Sequence, residues 1–330
     1  MRNLRINLII CIIIALALIL CPIAALGSTP EDVSVTEEMI TQTSVLHDNE
    51  EYISVMSSST GRIEKIGMRE YIIGCVAAEM SALCHTEALK AQAAACYTYA
   101  KKTCEQNEKH KDSELGTADI TDSPDTHQGY LNEKRRREKW NESYEKYEAK
   151  IETAVDEVFG SYLTFDGETA LAVYHAISAG STQSAETLWG SEIPYLTSVE
   201  SPGDKLSPDY ISKAVFSKSE FKKAAKKCGA KLTGDAEDWL GKTEKADSGY
   251  VTSVTLGNQS IAASKMRECF GLRSLCFDVE YSDGEFVFTC YGYGHGVGMS
   301  QYGADYMARQ GSTWREILMH YYPGTEIAEE

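Results

Sequence analysis

Apolar positions along the chain change their period several times, and each change marks an element. Ile6 to Gly27 carries no charge and is long enough to cross a bilayer as a helix. Residues 28–60 are rich in Ser, Thr, Glu and Asp and read mainly as a linker, with a strand starting near Glu51. Ile72, Cys75, Val76, Glu79 and Met80 then recur at spacings of three and four, which predicts a helix over 69–80. The alanine-rich stretch 87–102, free of Gly and Pro, predicts a second helix after a short turn. Residues 104–124 are polar and loop-like. Trp140, Tyr144, Tyr147, Ile151, Ala154, Val155 and Val158 predict one long helix over 132–159. Past Gly160 the pattern turns to strands at 162–165 and 170–178, with further strands at 250–256 and 286–293. Helices are expected at 216–228, 302–308 and 313–320. Helices and strands segregate along the chain, so the predicted class is α+β, in a single domain.

The helical spacing also places chemistry. Glu79 shares a face with Ile72, Cys75 and Val76, and it falls in the last turn, at the negative end of the helix dipole. Apolar neighbours and that dipole both disfavour the charged carboxylate, which raises its pKa toward the range of a general acid. The plain alternative is an exposed glutamate at a frayed helix end. On the second helix Ala88, Gln92, Ala95 and Tyr99 share a face, either a wall offering hydrogen bonds to a ligand or simple helix packing. The 170–178 strand opens into a small polar loop, 179–186, with His175, Ser178, Gln183 and Glu186 as binding candidates. In the glycine stretch 291–304, an extended Gly292–Gly298 would put Tyr293, His295, Val297 and Met299 on one face and bare backbone on the other, open to a flat hydroxyl-rich ligand. It fits no dinucleotide frame, and the chain has no phosphate loop, Gly-x-Ser-x-Gly elbow or His-Glu-x-x-His motif.

Charge narrows the partners. A net charge of -17 argues against nucleic acid, so a polymer would be gripped by hydrogen bonds and stacking. Arg2 and Arg5 before the apolar run orient the rest of the chain outward, with an uncleaved anchor favoured over a signal peptide cut near Ala25-Leu26-Gly27. The Lys134–Arg137 run reads as a solvated helix face. Ten cysteines include no Cys-x-x-Cys pair, and their count chooses no disulfide pairing.

Several segments together resemble the stage II sporulation protein D family: Glu70-Tyr-Ile-Ile-Gly-Cys-Val-Ala-Ala-Glu-Met80, Glu87-Ala-Leu-Lys-Ala-Gln92, Gly190 with Pro194-Tyr-Leu, Gly271-Leu-Arg-Ser274 with Phe277, and Gly294-His-Gly-Val-Gly-Met-Ser-Gln-Tyr-Gly-Ala304 ending in His320-Tyr-Tyr-Pro323. They run in order from Gly61 to Ile327. The resemblance implies an anchor at 1–27, a linker at 28–60 and an exported catalytic domain at 61–327, a single-pass protein acting between mother cell and forespore. It implies a lytic transglycosylase that cuts between N-acetylmuramic acid and N-acetylglucosamine in peptide-stripped peptidoglycan during engulfment, leaving 1,6-anhydro ends. Its expected partners are the amidase stage II sporulation protein P and protein M. Glu79 matches the family's catalytic acid, and the motifs make Gln92, Tyr99, His175, Ser178, His295 and Gln301 groove residues, with Glu186 a candidate stabiliser of positive charge. One acid suffices there because the substrate's own C6 hydroxyl attacks, whereas hydrolysis usually needs two carboxylates.

Two departures stand out. Many members carry arginine where this chain has Tyr97. Clostridial members can carry a zinc site of His-x5-Cys-x5-Cys before a Gln-x-Tyr, and the same spacing here falls on Leu115, Thr121 and His127, so no zinc and no other cofactor is expected. The alternatives are a non-catalytic glycan-binding module or amidase enhancer, and a metalloenzyme using His127, His175 or His295.

Overall fold

The computed structural model describes residues 51–110 and 112–330. The expected anchor and most of the linker lie outside the described residues, among which no helix is long and apolar enough to cross a membrane. Strands β1 (Tyr52–Met56) and β2 (Ile63–Gly67) pair antiparallel and lead into α1 (Met68–Glu79) and α2 (Thr86–Lys109), after which β3 (Ile120–Thr121) adds to β1 in parallel. α3 (Glu133–Trp140) and α4 (Tyr144–Asp156) precede β4 (Ser161–Phe165), β5 (Glu168–Thr169), β6 (Tyr174–His175) and α5 (Ala185–Trp189). Next come β7 (Ile211–Ser217), α6 (Lys218–Lys227), β8 (Leu240–Lys245), β9 (Val251–Leu256), β10 (Gln259–Ala262), α7 (Ala263–Phe270), β11 (Cys276–Ser282) and β12 (Glu285–Tyr291). The last elements are β13 (Met299–Ser300), α8 (Gln301–Arg309), α9 (Trp314–Tyr321) and β14 (Glu326–Glu329). The mixture of helices with small, mostly antiparallel sheets is α+β, as expected.

Two hydrophobic cores form within one unit. The first gathers α1, α2, α4, α8 and α9 around the sheet β14-β4-β5. The buried residues of the second lie within 221–290, with Ala179, Leu188, Ala214, Phe216 and Tyr291 packed against them; in it Phe221, Trp239, Phe270, Phe286 and Phe288 pack ring on ring, Phe221 and Phe286 with centroids 3.7 Å apart. This second core is an insertion: the chain enters it by β7 and returns to the first core through 292–298.

That return segment is not extended. Gly292, Gly294, Gly296 and Gly298 all have positive φ, between 72° and 112°. A Cβ at Gly298 would stand 2.0 Å from the Val173 carbonyl, and one at Gly294 would stand 2.8 Å from His175 Cβ. The glycines therefore let this segment lie against 173–178, and of the four only Gly294 lines one of the cavities beside Glu79. Their neighbours do not share a face either: Tyr293 is exposed, while Val297 and Met299 are fully buried.

Other expectations shift. The helix expected over 132–159 breaks at Asn141, which has φ 46°, into α3 and α4. The Lys134–Arg137 run is not wholly solvated, because Arg136 is 1% exposed. Its guanidinium donates to Glu148 at 2.7 Å, Glu70 at 2.8 Å and the Leu131 carbonyl at 2.9 Å, tying α3 to α1 and α4. α2 runs on to Lys109, into the expected loop, and only Tyr174 and His175 of 170–178 form a regular strand. Cys75 and Cys96 are buried in the core as free thiols.

Candidate active site

α1 is buried almost all round, from Met68 through Ala77, so its end is fixed in space and Glu79 leaves it at a defined point. Gly74 decides what meets that end. A Cβ there would stand 2.3 Å from the Tyr130 ring and 2.6 Å from the Leu131 carbonyl. Only hydrogen at this position lets 128–131 lie against α1, where Tyr130 stacks on Tyr71 at 5.4 Å and Leu131 N–H donates to the Gly74 carbonyl. The same approach brings Gly129 N–H within 2.7 Å of Glu79 Oε1.

The second carboxyl oxygen faces Gln301. Gln301 Nε2 lies 3.4 Å from Glu79 Oε2 and 3.4 Å from Gln92 Oε1. Burial pushes the Glu79 carboxyl above the usual glutamate range, while the Gly129 and Gln301 hydrogen bonds and the Lys139 charge oppose the rise. The direction matches the sequence reading, but the helix end contributes differently. Lys139 Nζ donates to the Ala77 carbonyl at 2.7 Å and places a cation at the negative end of the dipole. Oε1 accepts the short bond, 2.7 Å from the Gly129 amide, and Oε2 only the long one, 3.4 Å from Gln301, so we assign the proton of the neutral acid to Oε2.

Glu79 lies where three cavities meet. One of about 390 Å³ is lined by Tyr99, Thr126, His127, Tyr174, Trp189 and His295. One of about 550 Å³ is lined by His175, Arg267, Tyr293, Gly294, His295 and Gln301. The third, about 320 Å³, is lined by Leu83, Gln301, Tyr302 and Arg309. Space on several sides of one carboxyl suits a chain threaded past it better than a small enclosed ligand. A roomier hollow of about 770 Å³ by Ser57–Thr60 and Arg135 lacks Glu79, so volume alone does not locate the chemistry. Trp189 and Tyr293, 45% and 43% exposed, bring two aromatic side chains to the groove, the Tyr293 ring with Arg273 over one face.

The two groove histidines are held neutral. His295 Nδ1 accepts from Val297 N–H at 3.1 Å and its Nε2 lies 3.0 Å from the Tyr174 carbonyl, which fixes the proton on Nε2. His175 Nδ1 lies 3.1 Å from the Val297 carbonyl and carries its proton, leaving a buried Nε2 that has no hydrogen-bond partner among the described residues. Burial lowers His295 to about 4 and His175 to about 3.

Of the residues expected at the site, Glu79, Tyr99, His175, His295 and Gln301 come together along the groove. Gln92 stands one layer behind, fully buried, with its amide on Cys96 and Gln301. Ser178 is also fully buried, and its N–H and hydroxyl both donate to Asp204, which accepts from Ser300 as well. That network holds the N-terminal cap of α8 and so sets Gln301 indirectly. Glu186 is exposed in the first turn of α5 and lines none of the cavities described.

Sequence reasoning missed Gly129, Lys139, Tyr174 and Arg267 as site residues. The Gln-x-Tyr that follows the zinc spacing is Gln128-Gly-Tyr130, and it is the signal that could have found Gly129. Among the described residues no group of three or more His, Cys, Asp and Glu is placed to hold a metal ion. Leu115 is buried, Thr121 donates to the Met56 carbonyl, and His127 lines the groove. Tyr97 lines none of these cavities, its hydroxyl lying 2.8 Å from both Glu51 and Glu330.

Residues 56–165 match the family described as Stage II sporulation protein. The chain is 36% identical over 278 residues to Stage II sporulation protein D of Bacillus amyloliquefaciens, covering 84% of this chain and 78% of that protein. The Bacillus subtilis protein of the same name gives 36% identity over 278 residues, covering 84% and 79%. An amidase enhancer of Bacillus subtilis is 25% identical over 309 residues, covering 77% of this chain and 40% of that protein.

Proposed function

The chain belongs to the stage II sporulation protein D family, and from that premise we propose that it is a lytic transglycosylase acting on peptide-stripped peptidoglycan strands during sporulation. The observation that carries the reading is Glu79, a carboxyl raised by burial, held by an amide and a glutamine, at the meeting point of three cavities. In its neutral form Glu79 presents the Oε2 proton to the oxygen between N-acetylmuramic acid and N-acetylglucosamine. As that bond breaks, the carboxylate left behind is stabilised by Gly129 N–H and Gln301. It then takes the proton of the muramic C6 hydroxyl as that oxygen closes on the anomeric carbon. The 1,6-anhydro ring forms, the proton count balances, and no water is consumed. Asp125 lines two of the three cavities with Glu79, and Asp209 and Asp305 line the third; the single-acid mechanism asks no proton transfer of them, whereas hydrolysis would need one of them as a second carboxylate.

We place this activity outside the membrane, behind the anchor at 1–27, downstream of the amidase stage II sporulation protein P and in complex with protein M. The test compares glycan strands with and without stem peptides, incubated with the protein and with Glu79→Gln. Cleavage of peptide-free strands that disappears with Glu79→Gln supports the reading. Binding without cleavage by the unaltered protein supports a glycan-binding or amidase-enhancing module instead.

A further inference from the structure

Arg267 sits in the last turn of α7, on the wall that the second core contributes to the 550 Å³ cavity. Glu79 and Gln301 stand on the wall from the first core. Among the described residues Arg267 Nε is buried without a hydrogen-bond partner, while the neighbouring Arg273 is the one that pairs with a carboxylate, Asp209 at 3.6 Å. In a chain with 49 acidic residues against 32 basic ones, an unneutralised guanidinium lining a cleft is a vacancy for an anion. Of the groups nearby, His295 is already committed to Val297 and Tyr174, Arg273 lies over the Tyr293 ring at 4.3 Å, and Asp125, on the same cavity, leaves Arg267 Nε without a partner.

We propose that Arg267 binds the free lactyl carboxylate of the N-acetylmuramic acid whose glycosidic bond Glu79 protonates. The inference rests on the glycan-cleaving reading and names what selects the substrate. The lactyl ether leaves the sugar two ring positions from the anomeric carbon, and of the three cavities that Glu79 lines, the one that also holds Arg267 is the one we assign to the carboxylate of a muramic residue with C1 at Glu79. In strands that keep their stem peptides the same group is a neutral amide with a peptide attached. Removal of the peptide creates the anion, and a guanidinium pairs with carboxylate through two parallel donors that an amide cannot match. Preference for stripped strands then follows from charge recognition at Arg267 as well as from room in the groove.

The test uses peptide-free strands and the same strands with their lactyl carboxylates capped as methylamides. KM is read with the full-length protein, and Kd with the Glu79→Gln form. The unaltered protein should prefer the acid strands by roughly 10- to 100-fold, the worth of a charge-assisted bidentate contact. Arg267→Gln should erase that preference and Arg267→Lys should restore part of it, with thermal melting checking that each variant folds. Cleavage with equal KM and Kd for the two strands overturns the role of Arg267 and leaves the lyase reading standing. A carboxylate-dependent, Arg267-dependent Kd without cleavage keeps Arg267 and overturns the lyase reading. Failure to bind either strand overturns the proposal.

Discussion

Gly129→Ala tests whether the amide contact to Glu79 tunes the acid. A methyl built on Gly129 stands 3.0 Å from Glu79 Oε1 and 3.3 Å from Ala78 Cβ. The first separation is too short for comfortable contact, and the helix end holding Ala78 gives less readily than the carboxyl. Glu79 should move by a few tenths of an ångström, lengthening its 2.7 Å bond from Gly129 N–H. A hydrogen bond to a charged group contributes about 1.5–3 kcal/mol, and each 1.36 kcal/mol is tenfold in rate, so kcat should fall roughly 10- to 100-fold. Folding stability should change by no more than about 1 kcal/mol, since no core volume is lost. The pH profile adds a signed expectation. A general acid must be protonated, so activity declines as pH rises through its pKa, and the Gly129 hydrogen bond holds that pKa down. Weakening the bond should move the alkaline limb to higher pH. The assay is the initial rate of anhydro-end release from peptide-free strands across pH, with a melting curve as control. An unchanged kcat with the alkaline limb in place would refute the assignment of Gly129.

Three further outcomes are expected. Glu79→Gln should abolish cleavage yet stabilise the fold: a carboxyl raised by burial penalises the folded state above its folded pKa and not below the unfolded one. The gain in melting temperature should therefore be full in alkaline buffer and vanish in acid. His175 and His295, lowered from 6.5 to about 3 and about 4, should contribute stability that is complete above pH 6.5 and lost as pH falls toward those values. Denaturant titrations should show that slope flattened in a His175→Asn, His295→Asn double variant. Arg136→Ala should cost about 3–5 kcal/mol in a urea melt, because it leaves the buried Glu148 carboxylate unpaired.

The placement of Glu79 was largely legible because its signal is local. The spacing of Ile72, Cys75 and Val76 is enough to send Glu79 to the buried side of a helix end, and the structure keeps it there. What hid was set by contacts distant in sequence. Gly129 reaches Glu79 only because Gly74 admits Tyr130, and neither glycine advertises that role in its own neighbourhood. The glycine stretch misled because alternation suggested a strand, whereas four positive φ values make it a winding crossover. The second core was read in fragments. β7 alternates with Ile211 and Val215 on its exposed side, 55% and 52% exposed, which inverts the usual apolar-in pattern. Arg136 looked like one of a basic run, and only the fold supplies Glu70 and Glu148 to bury it. Ser178 looked like a loop ligand because its partner, Asp204, is 26 residues away.

The most direct measurement of the central claim is the mass of the new glycan ends after digestion of peptide-free strands in heavy-oxygen water. If Glu79 alone serves as acid and base, the ends are 1,6-anhydro-muramic acid with no solvent label, and Glu79→Gln yields none of them. Labelled reducing ends would mean that water attacks, that a second carboxylate activates it, and that the single-acid mechanism is wrong.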